Sequence, residues 1–395
     1  MNGCRECMVC GSTENRHIIS VDRAPRFHVI SPEQKLGPSD FGTIRLAECV
    51  ECGHIFNSQR HQNSHFDGDF FITNAPISKS MIARHENSVD FLSLRNSQVL
   101  SVLDVGAGSG ALAATIAKEG HKVTVVEPSR KIDAKELESY GISVISDTWP
   151  SDKVKDKKFD LILCVQVLEH IESPVEFLAS LSTALSDCGR IYLEIPSGDW
   201  VVGHASIADI HLPHLSYFLS KSLDSILQKV SLVPVERREL NNGRDLGLIL
   251  KKSSQKITPV SFSPQSFKLA TALRDNLRLA ESKIANDLTF KRFAIYGANA
   301  GLQALLGFFP KLSPKFIFDD TPAYFGASVF SRESRFRVLE LTGETVDQVD
   351  AIIIAAYIHD VVISEKIRAL GFRGEIFSIR PVSDQLGKIK SLFAP

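Results

Sequence analysis

Three groups of residues in this chain have types and spacings that can do chemistry. The first is a matched pair of C-x-x-C-G turns, Cys7-Met8-Val9-Cys10-Gly11 and Cys49-Val50-Glu51-Cys52-Gly53. Each turn brings two thiolates to one point, and its glycine permits the tight bend in which backbone N–H groups face the sulfurs. Together Cys7, Cys10, Cys49 and Cys52 make a closed Cys4 site with no position left for a catalytic water, which reads as structural zinc. Cys4 lies three positions before Cys7 and is an alternative partner for it; Gly11 favours the Cys7/Cys10 pairing. A nucleic-acid-binding ribbon is the functional rival to a structural module. The second group is a run of alternate glycines, Gly106, Gly108 and Gly110, with Ala107 between the first two, placed directly after the apolar run Val102 to Val105. Asp104 lies inside that run. Glu127 ends the next apolar run, Val123 to Val126, where its carboxylate can accept both ribose hydroxyls of an adenosine group. Glycines let a ligand approach the backbone closely. A dinucleotide fingerprint usually has a further glycine where this chain has Ala111, a replacement that pattern sometimes tolerates, so spacing alone leaves NAD open. The third group is His204, His211, His214 and Tyr217, close together in a chain of 395 residues with 12 histidines. Histidine and tyrosine are natural carriers of a proton near neutral pH. No cysteine or ordered carboxylate pair near them in sequence supports a second metal site.

These groups need elements to hold them. Residues 1–65 read as the metal module, with small strands (Phe27 to Ile30, Ile44 to Ala47) between the cysteine pairs. Residues 66–258 open on an aromatic segment, Phe66, Phe70 and Phe71, which reads as packing or as cover for a pocket. A helix follows from Ser78 to Leu94, with Ser78 as its N-cap. The glycine turn then sits in a strand–turn–helix–strand unit whose helix is closed by Gly120. Val144 to Asp147 reads as a third strand, which puts Asp147 within reach of an adenine amino group. Phe159 to Val165 is a fourth, with Cys164 as a core residue. Strands one and four flank the switch point of a doubly wound sheet, so Gln166 and the residues after it face the ligand. His170 is ambiguous by itself, a polar helix-end histidine being more often structural than functional. Ile191 to Ile195 is a fifth strand, Ser220 to Val230 an amphipathic helix, and Val233 to Glu236 with Leu246 to Leu250 an antiparallel pair. Residues 259–290 form a linker, with Pro259 and Pro264 before a helix from Phe267 to Leu288. Residues 291–395 begin a second strand–turn–helix at Phe293, with Gly297 and Gly301, an acidic strand end at Asp319 and Asp320, a strand Ala351 to Tyr357, a helix Val362 to Leu370 and a strand Glu375 to Ile379. This second unit binds a nucleotide or serves as a platform. The fold class is α/β throughout, apart from the metal module.

Apolar content of 44% and a net charge of −1 describe an ordinary soluble chain without the basic excess of a nucleic-acid binder. The start, MNGCRECMVC, has no signal-like apolar segment, and no apolar run approaches the ~18 residues of a membrane span. The expectation is a cytoplasmic protein with no membrane partner, in which thiols stay reduced and free to bind metal.

The stretch D-V-G-A-G-S-G, with Asp104 leading it, resembles motif I of class I S-adenosylmethionine-dependent methyltransferases. Added to it are CMVCG with CVECG, VVEPS, FDLILCVQVLEHI, EIPS, HLSYF, and IYGANAG with FDDTP. Over nearly the whole chain this order resembles the three-part sugar C-methyltransferases that act on nucleotide-linked 4-keto-deoxysugars. The resemblance implies a zinc module, a class I methyltransferase sheet and a Rossmann-like C-terminal domain. It also implies S-adenosylmethionine held at Asp104, Gly106, Ala107, Gly108, Gly110, Glu127, Asp147 and Gln166, and a nucleotide-linked sugar as acceptor. In that family a histidine removes the proton from sugar C3, which the C4 ketone makes acidic, before the methyl group arrives. His214 falls on the base position and His170 on the family histidine after strand four. Pro213 stands where the family has glutamate, His211 where it has tyrosine, and Phe71 where a tyrosine is expected. Proline and phenylalanine have no side-chain proton to move, so the resemblance supports methyl transfer more strongly than it supports carbon as the accepting atom. An oxygen or nitrogen acceptor, an NAD-dependent oxidoreductase and a non-catalytic binder are the rivals.

Overall fold

The computed structural model describes residues 6–26, 41–59, 79–130, 132–253, 264–289, 291–331, 334–381 and 389–393. Cys4, the strand expected at Phe27 to Ile30, the aromatic segment with Phe66, Phe70 and Phe71, Ser78 and Pro259 lie outside the described residues.

The N-terminal module is an antiparallel sheet, β1 (Asn15–Pro25), β2 (Phe41–Cys49) and β3 (Ile55–Asn57). The sequence reading missed β1, and the pairing shows why. Its register slips between His17 and Ile19 and again between Val21 and Ala24. Each bulge breaks the period-two alternation by which a half-buried strand is recognised.

The central module runs through α1 (Lys79–Phe91), β4 (Ser101–Val105), α2 (Ala111–Lys118), β5 (Lys122–Val126), α3 (Ala134–Ser139), β6 (Ser143–Ile145), β7 (Phe159–Val165), α4 (Pro174–Ala184) and β8 (Leu185–Pro196). It continues with α5 (Gly198–His204), β9 (Ser216–Tyr217), α6 (Ser220–Lys229), β10 (Leu232–Leu240) and β11 (Asp245–Lys252). Its sheet has the order β10-β11-β8-β7-β4-β5-β6. Strands β6, β5, β4, β7 and β8 are parallel; β11 and β10 close the sheet antiparallel, as expected. The parallel strands read as unbroken apolar runs because helices cover both faces. Leu103, Val105, Ile162 and Cys164 enter one core, while Val102, Leu161, Leu163 and Val125 enter the core on the other face.

The linker helix α7 (Ser266–Lys283) is started by a residue from another module. Both oxygens of the buried Glu48 carboxylate on β2 accept backbone N–H bonds, from Gln265 at 2.6 Å and Ser266 at 3.1 Å. Such a carboxylate satisfies orphan donors and complements the helix dipole. A single π turn, Ile284–Leu288, follows α7.

The C-terminal unit contains β12 (Phe293–Tyr296), α8 (Ala300–Phe308), β13 (Phe316–Phe318), β14 (Ser328–Phe330), β15 (Arg335–Leu339), α9 (Gly343–Val346), β16 (Ala351–Ile354), α10 (Asp360–Ala369), β17 (Glu375–Ser378) and β18 (Lys390–Ser391). Its strand order is β14-β15-β13-β12-β16-β17-β18, parallel except for β14. One hydrophobic core joins the modules: Ile18 and Leu46 of the N-terminal sheet, Ile207 and Leu212, Leu269 and Leu273 of α7, and Leu302 and Leu305 of α8 all belong to it. The stretch from α5 to β9 lies at this junction, and β9 pairs with β3, so the central module lends a strand to the N-terminal sheet.

Candidate active site and cysteine cluster

Gly106, Gly108 and Gly110 all have positive φ, at 69°, 58° and 77°, the left-handed region that glycine occupies without a Cβ clash. They differ in their surroundings. A Cβ on Gly106 would lie 2.7 Å from Val167 and one on Gly110 2.4 Å from Leu137, whereas one on Gly108 would meet nothing within 4 Å. Gly108 therefore borders open space at the end of β4. Beside it, the buried Glu127 carboxylate accepts N–H bonds from Gly108 at 2.9 Å and Ser129 at 2.8 Å. Two amides fix the orientation of the carboxylate. A carboxylate oxygen can accept more than one donor, so a carboxylate oriented in this way could also take a pair of ribose hydroxyls. Asp104 is buried behind the turn, where loss of water and, secondarily, the Glu127 charge push its carboxyl up to about 7.

Two other expected cofactor residues have partners of their own. Asp147 accepts from the Thr148 N–H at 2.9 Å and the Ser151 hydroxyl at 2.8 Å, which braces its loop and holds its carboxyl below the ordinary range. Gln166, at φ 56°, donates from its amide to Asp245 at 3.2 Å. That bond is the edge of a network the sequence reading did not assemble. Arg84 on α1 pairs with Glu194 at the end of β8 and stands 3.5 Å from Asp245 at the start of β11. The hydroxyl of Tyr192 donates to Glu194, and Asn241 donates to Asp245. These groups lie at the carboxyl ends of the parallel strands, where open α/β sheets bind ligands. The hints in the sequence were Gln166, expected to face the ligand, and the Glu194 of E-I-P-S; Arg84 is an unremarkable residue of an amphipathic helix.

The histidines divide. His204 leaves the cluster: its ring stacks on Trp200 at 3.6 Å between centroids, and its Nδ1 donates to the Trp200 carbonyl at 3.1 Å. His211 and His214 stay together at 3.8 Å, His170 lies 5.0 Å from His214, and the Tyr217 ring sits edge-on to His214 at 6.1 Å. The His170 Nδ1–H donates to the backbone carbonyl of Pro213 at 2.9 Å. Glu169 is buried next to His170, and burial pushes its carboxyl up to about 8. Burial likewise raises the Tyr217 phenol. All three modules hold this stretch. The Leu215 N–H donates to the Glu169 carbonyl at 2.8 Å, and the Leu215 carbonyl accepts from Asn57 at 2.9 Å. Asp209 accepts from Arg244 at 2.7 Å and from the Tyr357 hydroxyl of the C-terminal unit at 3.2 Å.

The four expected cysteines converge. The Cys7 and Cys52 sulfurs are 3.6 Å apart and those of Cys10 and Cys49 3.4 Å, with all four inside 4.8 Å of one another. Metal–sulfur bonds of about 2.3 Å in a tetrahedron require sulfurs about 3.8 Å apart, which this cluster approaches. Gly11 and Gly53 have positive φ, at 78° and 71°, and their N–H groups close the two turns onto Cys7 and Cys49. The S–H of Cys52 donated to Cys7 lowers the Cys7 thiol to about 5, while burial raises Cys49 to about 11. Left to itself the cluster concentrates charge on one sulfur; a bound cation allows all four to ionise.

Residues 79–236 match a family described as "Methyltransferase domain". A ubiquinone biosynthesis O-methyltransferase of Actinobacillus pleuropneumoniae serotype 7 is 31% identical over 101 residues, covering 23% of this chain and 43% of that protein. The mitochondrial ubiquinone biosynthesis O-methyltransferase of Schizosaccharomyces pombe is 32% identical over 105 residues, covering 23% and 36%. The chain thus spans less than half the length of these curated relatives. Among solved structures, an S-adenosylmethionine-dependent methyltransferase from Clostridium acetobutylicum aligns at 11% identity and a TM-score of 0.37, over 43% of this chain and 91% of that one. Residues 79–236, which span most of the central module, thus match a methyltransferase domain.

Proposed function

We propose that the protein transfers a methyl group from S-adenosylmethionine to a nucleotide-linked deoxysugar, with His214 as the general base. The observation that carries the cofactor half is the Glu127 carboxylate, clamped by the Gly108 and Ser129 amides beside the one glycine of the turn with open space around it. The module order and the polar network of Arg84, Glu194 and Asp245 support an acceptor rich in oxygen. His170, His211 and Tyr217 surround the base, and a neutral imidazole there can take the proton from the accepting atom. The cysteine cluster is read as a structural zinc site that orders the sheet to which β9 belongs. Zinc bound at the cysteine cluster, lost together with the native melting transition in Cys49→Ser, is expected; a protein with no zinc at the cysteines and unchanged stability would end that assignment.

A second reading has oxygen as the accepting atom. It is favoured by Pro213 standing where the C-methylating family has glutamate, and by the O-methyltransferase names of the curated relatives. The deciding experiment is incubation with methyl-labelled S-adenosylmethionine and a panel of nucleotide sugars, read by mass spectrometry. Label on a sugar carbon supports the first reading and label on a sugar oxygen the second. No labelled sugar from the whole panel would overturn the acceptor class.

A further inference from the structure

Glu169, His170 and His214 sit together in a way that the methyltransferase fold alone does not require. Glu169 is 1% exposed, and neither of its carboxylate oxygens has a hydrogen-bond partner among the described residues. Burying a carboxylate without a partner is costly, so a group positioned to meet it is expected. One such group is His170. Its Nδ1 faces the Pro213 carbonyl, which can only accept, so Nδ1 carries the proton and Nε2 of the neutral ring presents a lone pair. That lone pair lies 3.8 Å from the Glu169 oxygen. The separation exceeds a hydrogen bond, so no proton bridges the two. Two electron-pair donors facing each other across such a gap suit a cation between them.

His214 supplies the third donor. One ligand atom from each of Glu169, His170 and His214 lies within 4.8 Å of the others, a span that bonds of about 2.1 Å close with small side-chain adjustments. The Nδ1–H to carbonyl bond of His170 is the outer contact that a metal-binding histidine commonly makes, fixing the ring and its tautomer. The backbone is fixed as well, because the Leu215 N–H is bonded to the Glu169 carbonyl, which locks the segment after His214 to the turn carrying the other two donors. The backbone carbonyl of Pro213 thus orients His170.

We propose that Glu169, His170 and His214 bind a divalent transition-metal cation, separate from the cysteine site. Two imidazoles and one carboxylate suit Mn2+, Fe2+, Co2+ or Zn2+, and three protein donors leave coordination positions for water or an acceptor oxygen. The location matters. Val167, two residues before Glu169, packs against Gly106 of the cofactor turn, so the cation stands beside the methyl donor's site. There it would stabilise negative charge on the acceptor, and in the cation-bound form His214 would serve as a ligand in place of its role as general base. That role rests on the methyltransferase reading; the binding site itself rests on the donor geometry alone.

The test uses the full chain with its cysteine site loaded with zinc, titrated with Mn2+ by calorimetry and by the electron paramagnetic resonance of free Mn2+. Manganese prefers oxygen and nitrogen donors and does not compete well for four thiolates. One Mn2+ per chain is expected, with affinity weakened at least about tenfold in Glu169→Gln and in His214→Ala. Glu169→Gln keeps the side-chain shape and removes a buried charge, so its melting temperature without Mn2+ should be no lower than that of the wild type, and Mn2+ should raise only the wild-type value. Absence of any Mn2+ or second Zn2+ site in the wild type, or unchanged affinity in both folded variants, would overturn the proposal. Because binding is read directly, either result is independent of whether a methylated sugar is ever found.

Discussion

The molecule builds the same turn twice and uses it differently. In the methyltransferase domain β4 runs into Gly106, β5 ends on Glu127, and that carboxylate binds the N–H groups of Gly108 and Ser129. In the C-terminal unit β12 runs into Gly297, β13 ends on Asp319, and that carboxylate binds the N–H groups of Ala298 at 2.7 Å and Thr321 at 2.8 Å. The shorter acid reaches the amide one residue nearer the strand. What differs is clearance. A Cβ on Gly297 would lie 2.8 Å from that of Ala356, and one on Gly301 2.5 Å from the Ala355 carbonyl oxygen, so the turn after β16 fills the place. Gly106 is closed by Val167 in the same manner, but the C-terminal turn has no counterpart of Gly108 with open space beside it. An acid clamped to a glycine turn is therefore first a device for holding two strand ends together. It can also admit a ligand when a further glycine leaves room beside it, as Gly108 does.

The largest expected difference is at the two acids. Glu127→Ala removes a charged acceptor and should weaken S-adenosylhomocysteine binding about a hundredfold or more, from bonds worth about 1.5–3 kcal/mol each. Asp319→Ala should leave that affinity unchanged and lower the melting temperature instead. Calorimetry that found equal losses of affinity would break the comparison. A smaller contrast is expected at the glycines. Gly297→Ala meets packed atoms at a φ of 104° and should destabilise by about 1–3 kcal/mol without changing cofactor affinity. Gly108→Ala should do the reverse, with reduced affinity and a melting temperature within a few degrees of the wild type; the opposite pattern would mean that the open space beside Gly108 is not used.

The smallest effect is one of pH. Asp104 has its carboxyl raised to about 7, and Ile295 occupies the corresponding next-to-last position of β12. A carboxyl raised on folding contributes stability that is complete below its unfolded value near 4 and is lost as pH rises through about 7. Asp104→Asn should therefore gain on the wild type in melting temperature at pH 8, relative to their difference at pH 4. Parallel melting curves at both pH values would show that Asp104 does not titrate in this range.

Much of this architecture was legible because the signals are local. Continuous apolar runs mark β4, β5, β7 and β16, and the two C-x-x-C-G turns state their geometry directly. The N-terminal β1 was not legible, since its bulges erase the alternation that announces a strand. Helix limits moved for equally local reasons; the helix expected from Phe267 to Leu288 is α7 followed by a π turn, and the strand expected through Tyr357 stops at Ile354 before a short turn.

The polar site is another matter. Arg84, Gln166, Glu194 and Asp245 are separated by long stretches of chain, and no periodicity links them. The histidines show the same divide within a single segment: spacing groups His204 with His211 and His214, whereas stacking on Trp200 takes it away and the fold brings in His170 and Glu169. Residue type and short-range spacing determined the glycine turn, its acid and the cysteine turns, because each is made within a few residues by backbone geometry. Only the tertiary structure decided which histidines and carboxylates meet, because their positions are set where three modules pack on one stretch of chain and bury groups that must then find partners.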